Sequence, residues 1–180
     1  MKKYEFTGEV KSWLGRTLHQ IRATVSFGSI VAGEIGGWIE KVENLSHDGN
    51  AWVCGNAEVC GDAEVYGNAK VYGNAEVYGN AKVYGNAWVY GDAEVYGDAE
   101  VYGNAHYLAI GPIGSRSATT TFFRTKDLKI FVACGCFRGD IEAFAKKVKK
   151  THGDNQHAKI YFAAIEIAKL KIDLSEVKGE

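Results

Sequence analysis

Valine recurs at every sixth position through the middle of this chain, and that period limits the possible folds more than any other feature. The repeated unit reads Ala-x-Val-Tyr-Gly-Asn/Asp, as in residues 69–74. The nine valines in register are Val53, Val59, Val65, Val71, Val77, Val83, Val89, Val95 and Val101. A period of six fits neither an α-helix nor a single alternating strand. Alanine and valine face one side, and Gly-Asn/Asp forms a corner, so the sequence predicts a parallel β-helix.

This repeat resembles the hexapeptide family, whose members form left-handed triangular coils. In that family an aliphatic residue is followed four positions later by a small residue, here valine and then alanine. The resemblance implies three units to each turn of 18 residues, and therefore about three regular turns in residues 51–105, stacked ~4.8 Å apart. The expected fold class is mainly β: a left-handed parallel β-helix with an N-terminal β-hairpin cap and a small C-terminal α+β domain.

Residues 18 apart are expected to lie above one another on three outer faces. The three columns are Trp52, Lys70, Trp88 and His106; Glu58, Glu76 and Glu94; and Glu64, Lys82 and Glu100. Opposite charges stabilise the third column, whereas the like charges of the glutamate column repel one another. We expect the glutamates to be solvated, as most surface charges are. The alternative is that something cationic lies against them.

Tyrosine ladders run beside these columns, and Cys54 and Cys60 occupy the tyrosine position in the first units. Tyrosine covers a β surface well, which is one explanation of the ladders. Protein interfaces also favour tyrosine and tryptophan, and related coils commonly form trimers, so we expect a homotrimer. The predicted interface residues are Tyr72, Tyr90, Trp88, Tyr78 and Tyr96.

Residues 1–50 are predicted to cap the coil, because an open β edge invites pairing with other chains. Alternating residues on both sides of Gly15 predict a β-hairpin with a somewhat long turn. Ile39 and Leu45 keep the six-residue step, and a two-residue insertion before Val53 indicates one irregular turn. The run from residue 36 to residue 53 resembles the entry segment of hexapeptide proteins of phages, prophages and bacterial genomes. This resemblance covers roughly residues 17–105 and implies an architecture and a mobile-element origin, but no activity.

Residues 106–180 are predicted to form a separate α+β module of three strands and two helices. The predicted strands are 107–110, 118–125 and 128–136, and the helices follow Asp140 and run from about Gln156 to Lys171. The segment is similar to the C-terminal region of phage-type hexapeptide proteins. The shared motifs are Gly-Pro-Ile-Gly-Ser-Arg at 111–116, Cys-Gly-Cys-Phe at 134–137 and the His-Gly turn at 152–153.

Charge is distributed unevenly between the coil and this module. Residues 51–105 carry two basic and eight acidic side chains, a net charge of −6, whereas residues 106–180 carry thirteen and eight, a net charge of +5. Two glycines, a hydroxyl and a guanidinium in the 111–116 loop are typical of an anion-binding nest. The alternative is a tight loop with an exposed arginine. The predicted ligand-binding residues are Gly114, Ser115, Arg116, Arg124, Arg138 and His152.

Several function classes are disfavoured by what the sequence contains. Residues 51–105 have no histidine, the usual general base or zinc ligand in acyltransferases and carbonic anhydrases built on such coils. Cys134 and Cys136 lack zinc-site spacing, so we expect no metal and no cofactor. The chain as a whole is not basic, so duplex DNA or RNA is not an expected partner. Without a signal-peptide core or an 18-residue apolar run, a cytoplasmic location in the bacterial host, without membrane contact, is expected.

The favoured hypothesis is a non-catalytic oligomeric binding protein of phage origin, without catalytic residues. It would counter bacterial defence by sequestering an anionic, nucleotide-like ligand or by binding a host immune effector protein. The alternatives are an acyltransferase of the hexapeptide class and a structural phage component. Ligand binding, acetyl-CoA turnover and incorporation into virions distinguish the three.

Overall fold

The computed structural model describes residues 2–176, which form a β-solenoid of about four turns joined to a small antiparallel sheet and two helices. The mainly β architecture is therefore confirmed. The last four residues of the predicted C-terminal module, and Met1, lie outside the described residues. Within the described chain, no helix is long and apolar enough to cross a membrane.

The N-terminal segment forms three strands and a short 3-10 helix. The strands are β1 (Tyr4–Trp13), β2 (Arg16–Ala23) and β3 (Ile35–Ile39), and the 3-10 helix is Val42–Asn44. The predicted hairpin is confirmed, but its turn is shorter than expected. Only Leu14 and Gly15 join the strands, with φ of 46° and 75°. Two successive positive φ angles match the twist of the flanking strands, which is why two residues suffice.

The coil consists of nine two-residue strands, one for each valine. They are β4 (Trp52–Val53), β5 (Glu58–Val59), β6 (Glu64–Val65), β7 (Lys70–Val71), β8 (Glu76–Val77), β9 (Lys82–Val83), β10 (Trp88–Val89), β11 (Glu94–Val95) and β12 (Glu100–Val101). They stack as three parallel sheets, β4-β7-β10, β5-β8-β11 and β6-β9-β12, with valine paired to valine 18 residues away. The alanines and valines of the repeat are fully buried. The predicted register is thus confirmed.

Glycine is required at the corners because successive turns approach closely there. Gly79 has φ of 74°, and a Cβ on it would lie 2.9 Å from the backbone nitrogen of Gly97 in the next turn. Side-chain amides one position further on form hydrogen-bonded ladders between turns, such as Asn50 to Asn68 at 3.0 Å and Asn68 to Asn86 at 3.2 Å. Backbone and side-chain bonds between turns therefore hold the corners together.

The hairpin closes one end of the coil by extending one of its sheets. Strand β3 pairs antiparallel with β2 and parallel with β5, giving the order β1-β2-β3-β5-β8-β11. Ile39 pairs with Val59 and Leu45 with Val65, each 20 residues away, so the predicted insertion and irregular turn are confirmed. Trp52, expected on an outer face, is 1% exposed because the N-terminal segment covers it.

The C-terminal module has one strand more than predicted. Its elements are β13 (Tyr107–Ile113), β14 (Ala118–Arg124), β15 (Ile130–Cys134), β16 (Phe137–Asp140), α1 (Ile141–His152) and α2 (Gln156–Lys171). The added strand β16 includes Gly139 and Asp140, which have weak strand propensity. The predicted 111–116 loop is also shorter, because β13 continues to Ile113. Asp140 caps α1 as predicted, accepting a bond from the Ala143 backbone nitrogen at 2.7 Å.

Strand β14 lies across the other end of the coil and closes it. Thr125 forms a bridge with Ala99, and the Glu94 backbone nitrogen donates to the Thr121 hydroxyl at 3.0 Å. His106, predicted to continue the Trp88 column, instead turns inward and is 5% exposed. Its Nδ1 accepts a bond from the Tyr102 backbone nitrogen at 3.2 Å, and burial lowers its pKa.

Candidate ligand-binding cleft

A cleft of about 320 Å³ opens in the C-terminal module, bounded by α1, the β13–β14 turn, the β15–β16 turn and one residue of α2. Four of the six predicted ligand-binding residues lie in it or beside it. Ser115, Arg116 and His152 line the cleft, and Gly114 packs against Tyr161, which also lines it. The module therefore brings the glycine loop and the His-Gly turn together, although 36 residues separate Arg116 from His152 in sequence.

The floor of the cleft is a row of aromatic rings. Ring centroids are 5.1 Å apart between Phe137 and Phe144, 5.6 Å between Phe144 and Tyr161, and 5.7 Å between Tyr161 and His152. Phe144 and Tyr161 are only 3% and 6% exposed, so the floor is fixed by core packing. The ring planes are inclined by 47° between Phe137 and Phe144 and by 84° between Phe144 and Tyr161, so the floor is an apolar lining that suits an apolar group.

The rim of the cleft is cationic. Arg116 and Lys147 are exposed side chains from two different elements, and among the described residues lining the cleft none is acidic. The Arg116 guanidinium lies against Gly135, where an added Cβ would be 3.3 Å from its Nη1 atom. Lys147 lies one helical turn beyond Phe144 and so faces the same side of α1. A small anion between these two cations would gain charge-assisted hydrogen bonds.

A buried hydroxyl completes the site. The Thr120 hydroxyl donates to the Cys134 thiol at 3.2 Å, and that thiol donates to the Tyr161 hydroxyl at 3.7 Å. Burial first, and then the bond with Cys134, raise the pKa of Tyr161 to about 12, so the phenol is protonated at neutral pH. Gly114 is needed beside it, because its φ is 72° and an added Cβ would lie 1.9 Å from the Tyr161 hydroxyl oxygen.

The other two predicted ligand residues lie elsewhere. Arg124 is 3% exposed at the junction with the coil, and its Nη1 is 3.3 Å from His106 Nε2. Arg138 points to the coil, where it forms an ion pair with Glu94. Tyr161 and Lys147, which also line the cleft, were not among the predicted ligand-binding residues. The i, i+3 spacing of Phe144 and Lys147 was the available signal.

The glutamate column is covered at both ends by cations, so the expectation of free solvation is wrong and the cationic alternative is right. Lys11 of the hairpin pairs with Glu58 at 2.5 Å, and Arg138 of the C-terminal module pairs with Glu94. Glu76 lies between them, half-buried. Burial, followed by repulsion from Glu94 and Glu58, raises its pKa. The column is therefore where the two terminal segments attach to the coil.

The predicted interface tyrosines fall into two groups. Tyr78 and Tyr96 are half-buried within the chain, since Tyr78 packs on Trp13 at 5.6 Å and Tyr96 on Phe123 at 5.1 Å. Tyr72, Tyr90 and Trp88 lie on a different face. Tyr72 stacks on Tyr90 at 5.4 Å, while Tyr90 and Trp88 are 50% and 45% exposed. This second group leaves aromatic surface open to contact.

No family model matches the chain, and the search of curated proteins gave no significant match. By its fold and its cleft, this chain is a β-solenoid protein with a small α+β module. That module contains a cleft lined by aromatic and cationic side chains.

Proposed function

We propose that this protein is a non-catalytic binding protein that holds a small anionic, nucleotide-like ligand in the cleft of its C-terminal module. The observation that carries the proposal is an aromatic floor, centred on Phe144 and Tyr161, beneath a rim formed by Arg116 and Lys147. Guanidinium and ammonium groups bind phosphate, and an aromatic floor accommodates a ring. No step of bond making or breaking is required of these residues.

In this proposal the coil is a left-handed scaffold of the hexapeptide type, from a phage or prophage, that displays several copies of the module. The six-residue repeat and the closed valine-alanine core support a rigid scaffold. Sequestering a nucleotide signal would counter bacterial defence without catalysis. The aromatic face of Tyr72, Tyr90 and Trp88 would be the contact between copies, which we expect to number three.

The cleft proposal predicts that Arg116→Ala weakens binding at least tenfold. A charge-assisted hydrogen bond to an anion contributes roughly 1.5–3 kcal/mol, which corresponds to that factor or more. The measurement is calorimetry of the full chain with a panel of linear and cyclic nucleotides. Arg22→Ala is the control, because Arg22 pairs with Glu5 on the distant hairpin and should leave the affinity unchanged.

The proposal is wrong if no nucleotide binds below millimolar concentration, or if Arg116→Ala leaves the affinity of the tightest ligand unchanged. A host protein recognised by the same basic surface then becomes the better explanation. Binding assays with host lysate proteins would follow in that case.

The oligomer proposal predicts that Tyr72→Lys and Tyr90→Lys together dissociate the assembly. Two stacked lysines would place like charges on the exposed aromatic ladder and remove its contact area. Light scattering of the native chain at micromolar concentration should give three times 19.6 kDa, and the double variant one copy. Tyr66→Lys with Tyr84→Lys alters a matching ladder on another face, stacked at 4.9 Å, and should leave the assembly intact. A native monomer would contradict the trimer.

A further inference from the structure

We infer that the cleft binds a nucleoside monophosphate, that is, one planar base carrying one phosphate monoester, and that it is too small for a dinucleotide. The inference rests on the proposed function and narrows it. The volume of about 320 Å³ lies at the lower end of the range of roughly 300–1,000 Å³ typical of small-molecule sites. One row of rings forms the floor, so one base is accommodated.

The charges at the rim are enough to neutralise one phosphate monoester. Such a group carries about −1.5 to −2 at neutral pH. Arg116 and Lys147 supply two positive charges from two elements, and His152 supplies a further ring nitrogen beside them. The guanidinium offers a planar fork of donors and the ammonium a point charge, which together hold one terminal phosphate.

In this inference the buried Tyr161 hydroxyl donates a hydrogen bond to the base. Its oxygen accepts the bond from the Cys134 thiol, so its own proton remains available to a ligand. Tyr161 is 6% exposed, lines the cleft and packs on Phe144 of the floor. Ring nitrogens and carbonyl oxygens of nucleobases are acceptors and fit this donor. Tyr161 is therefore assigned to base recognition, and Arg116 and Lys147 to phosphate.

The test is calorimetry of the full chain with four probes: 5′-nucleoside monophosphates, the matching nucleosides, inorganic phosphate and cyclic dinucleotides. We expect at least one monophosphate to bind tenfold or more tightly than its nucleoside, inorganic phosphate and every dinucleotide. Tyr161→Phe should lower the affinity for that monophosphate about tenfold and leave phosphate binding unchanged. Lys147→Gln, an exposed substitution that leaves the floor in place, should lower both affinities.

The possible outcomes separate this inference from the proposed function. If a cyclic dinucleotide binds more tightly than every monophosphate, and Arg116→Ala weakens it, the size limit is wrong while the proposed function stands. If inorganic phosphate binds as tightly as the monophosphates, the assignment of the floor to a base is wrong. If none of the four probes binds, the inference fails, and the proposed function fails with it if the wider panel of linear and cyclic nucleotides also shows no binding.

Discussion

Trp52→Ala is expected to lower the free energy of unfolding by about 4 kcal/mol, because truncating a buried tryptophan typically costs ~3–5 kcal/mol. Trp52 is 1% exposed, and its ring packs on Phe27 at 5.4 Å and on Tyr4 at 6.4 Å. Its indole nitrogen has no hydrogen-bond partner among the described residues, so packing accounts for its contribution. Urea unfolding followed by circular dichroism measures the change.

Trp88→Ala is the matched control, since both tryptophans pair with Lys70 in the same ladder, one on each side. Trp88 is 45% exposed, so its loss should cost about 1 kcal/mol or less. Both variants are made in the Tyr72→Lys, Tyr90→Lys background, so that the proposed assembly does not contribute to the measured stability. Equal costs would contradict the placement of the hairpin over Trp52.

Gly114→Ala is expected to cost about 3 kcal/mol and to abolish ligand binding. A positive φ, here 72°, costs a residue with a Cβ about 1–2 kcal/mol, and overpacking adds roughly 1–3 kcal/mol. The added methyl would lie 1.9 Å from the hydroxyl oxygen of Tyr161, which is buried and has little room to retreat. The expected result is a displaced aromatic floor. Urea unfolding and calorimetry measure the two effects.

Gly15→Ala isolates the backbone part of that cost. Gly15 has φ of 75°, and nothing lies within 4 Å of the position of its Cβ. We expect a loss of about 1 kcal/mol and unchanged ligand affinity. If Gly114→Ala lowers the free energy of unfolding no more than Gly15→Ala does, the close contact between Gly114 and Tyr161 does not exclude a Cβ at position 114.

The coil was predictable from sequence because its geometry is local. Each unit has the same small residues inside and the same corner, so the register of Glu58, Glu76 and Glu94 follows from the period alone. What covers a given face does not follow from the period. Trp52 and Trp88 occupy equivalent positions in the repeat, yet one is buried and the other exposed. That difference depends on long-range packing of the hairpin, which the repeat does not encode.

The cleft was predictable only in part, for a similar reason. The glycine loop is recognisable from its composition, so Ser115 and Arg116, which line the cleft, were among the predicted residues. The directions in which the Arg124 and Arg138 side chains point depend on the strand boundaries. Strand β16, which contains Arg138, was not predicted from the sequence. Arg138 lies on that short strand and turns toward the Glu94 column instead of the cleft. Tyr161 was not predicted as a cleft residue, because its hydroxyl contact with Cys134 is tertiary.

The contacts of Tyr78 restrict the number of turns in the coil. Trp13, from the segment at one end, packs on its ring at 5.6 Å, and Arg138, from the segment at the other end, donates to its hydroxyl at 3.3 Å. Adding a turn would move these two groups apart by ~4.8 Å, and removing one would make them collide. The repeat itself does not limit the number of turns. The contacts that both terminal segments make with Tyr78 are compatible with only one number of turns.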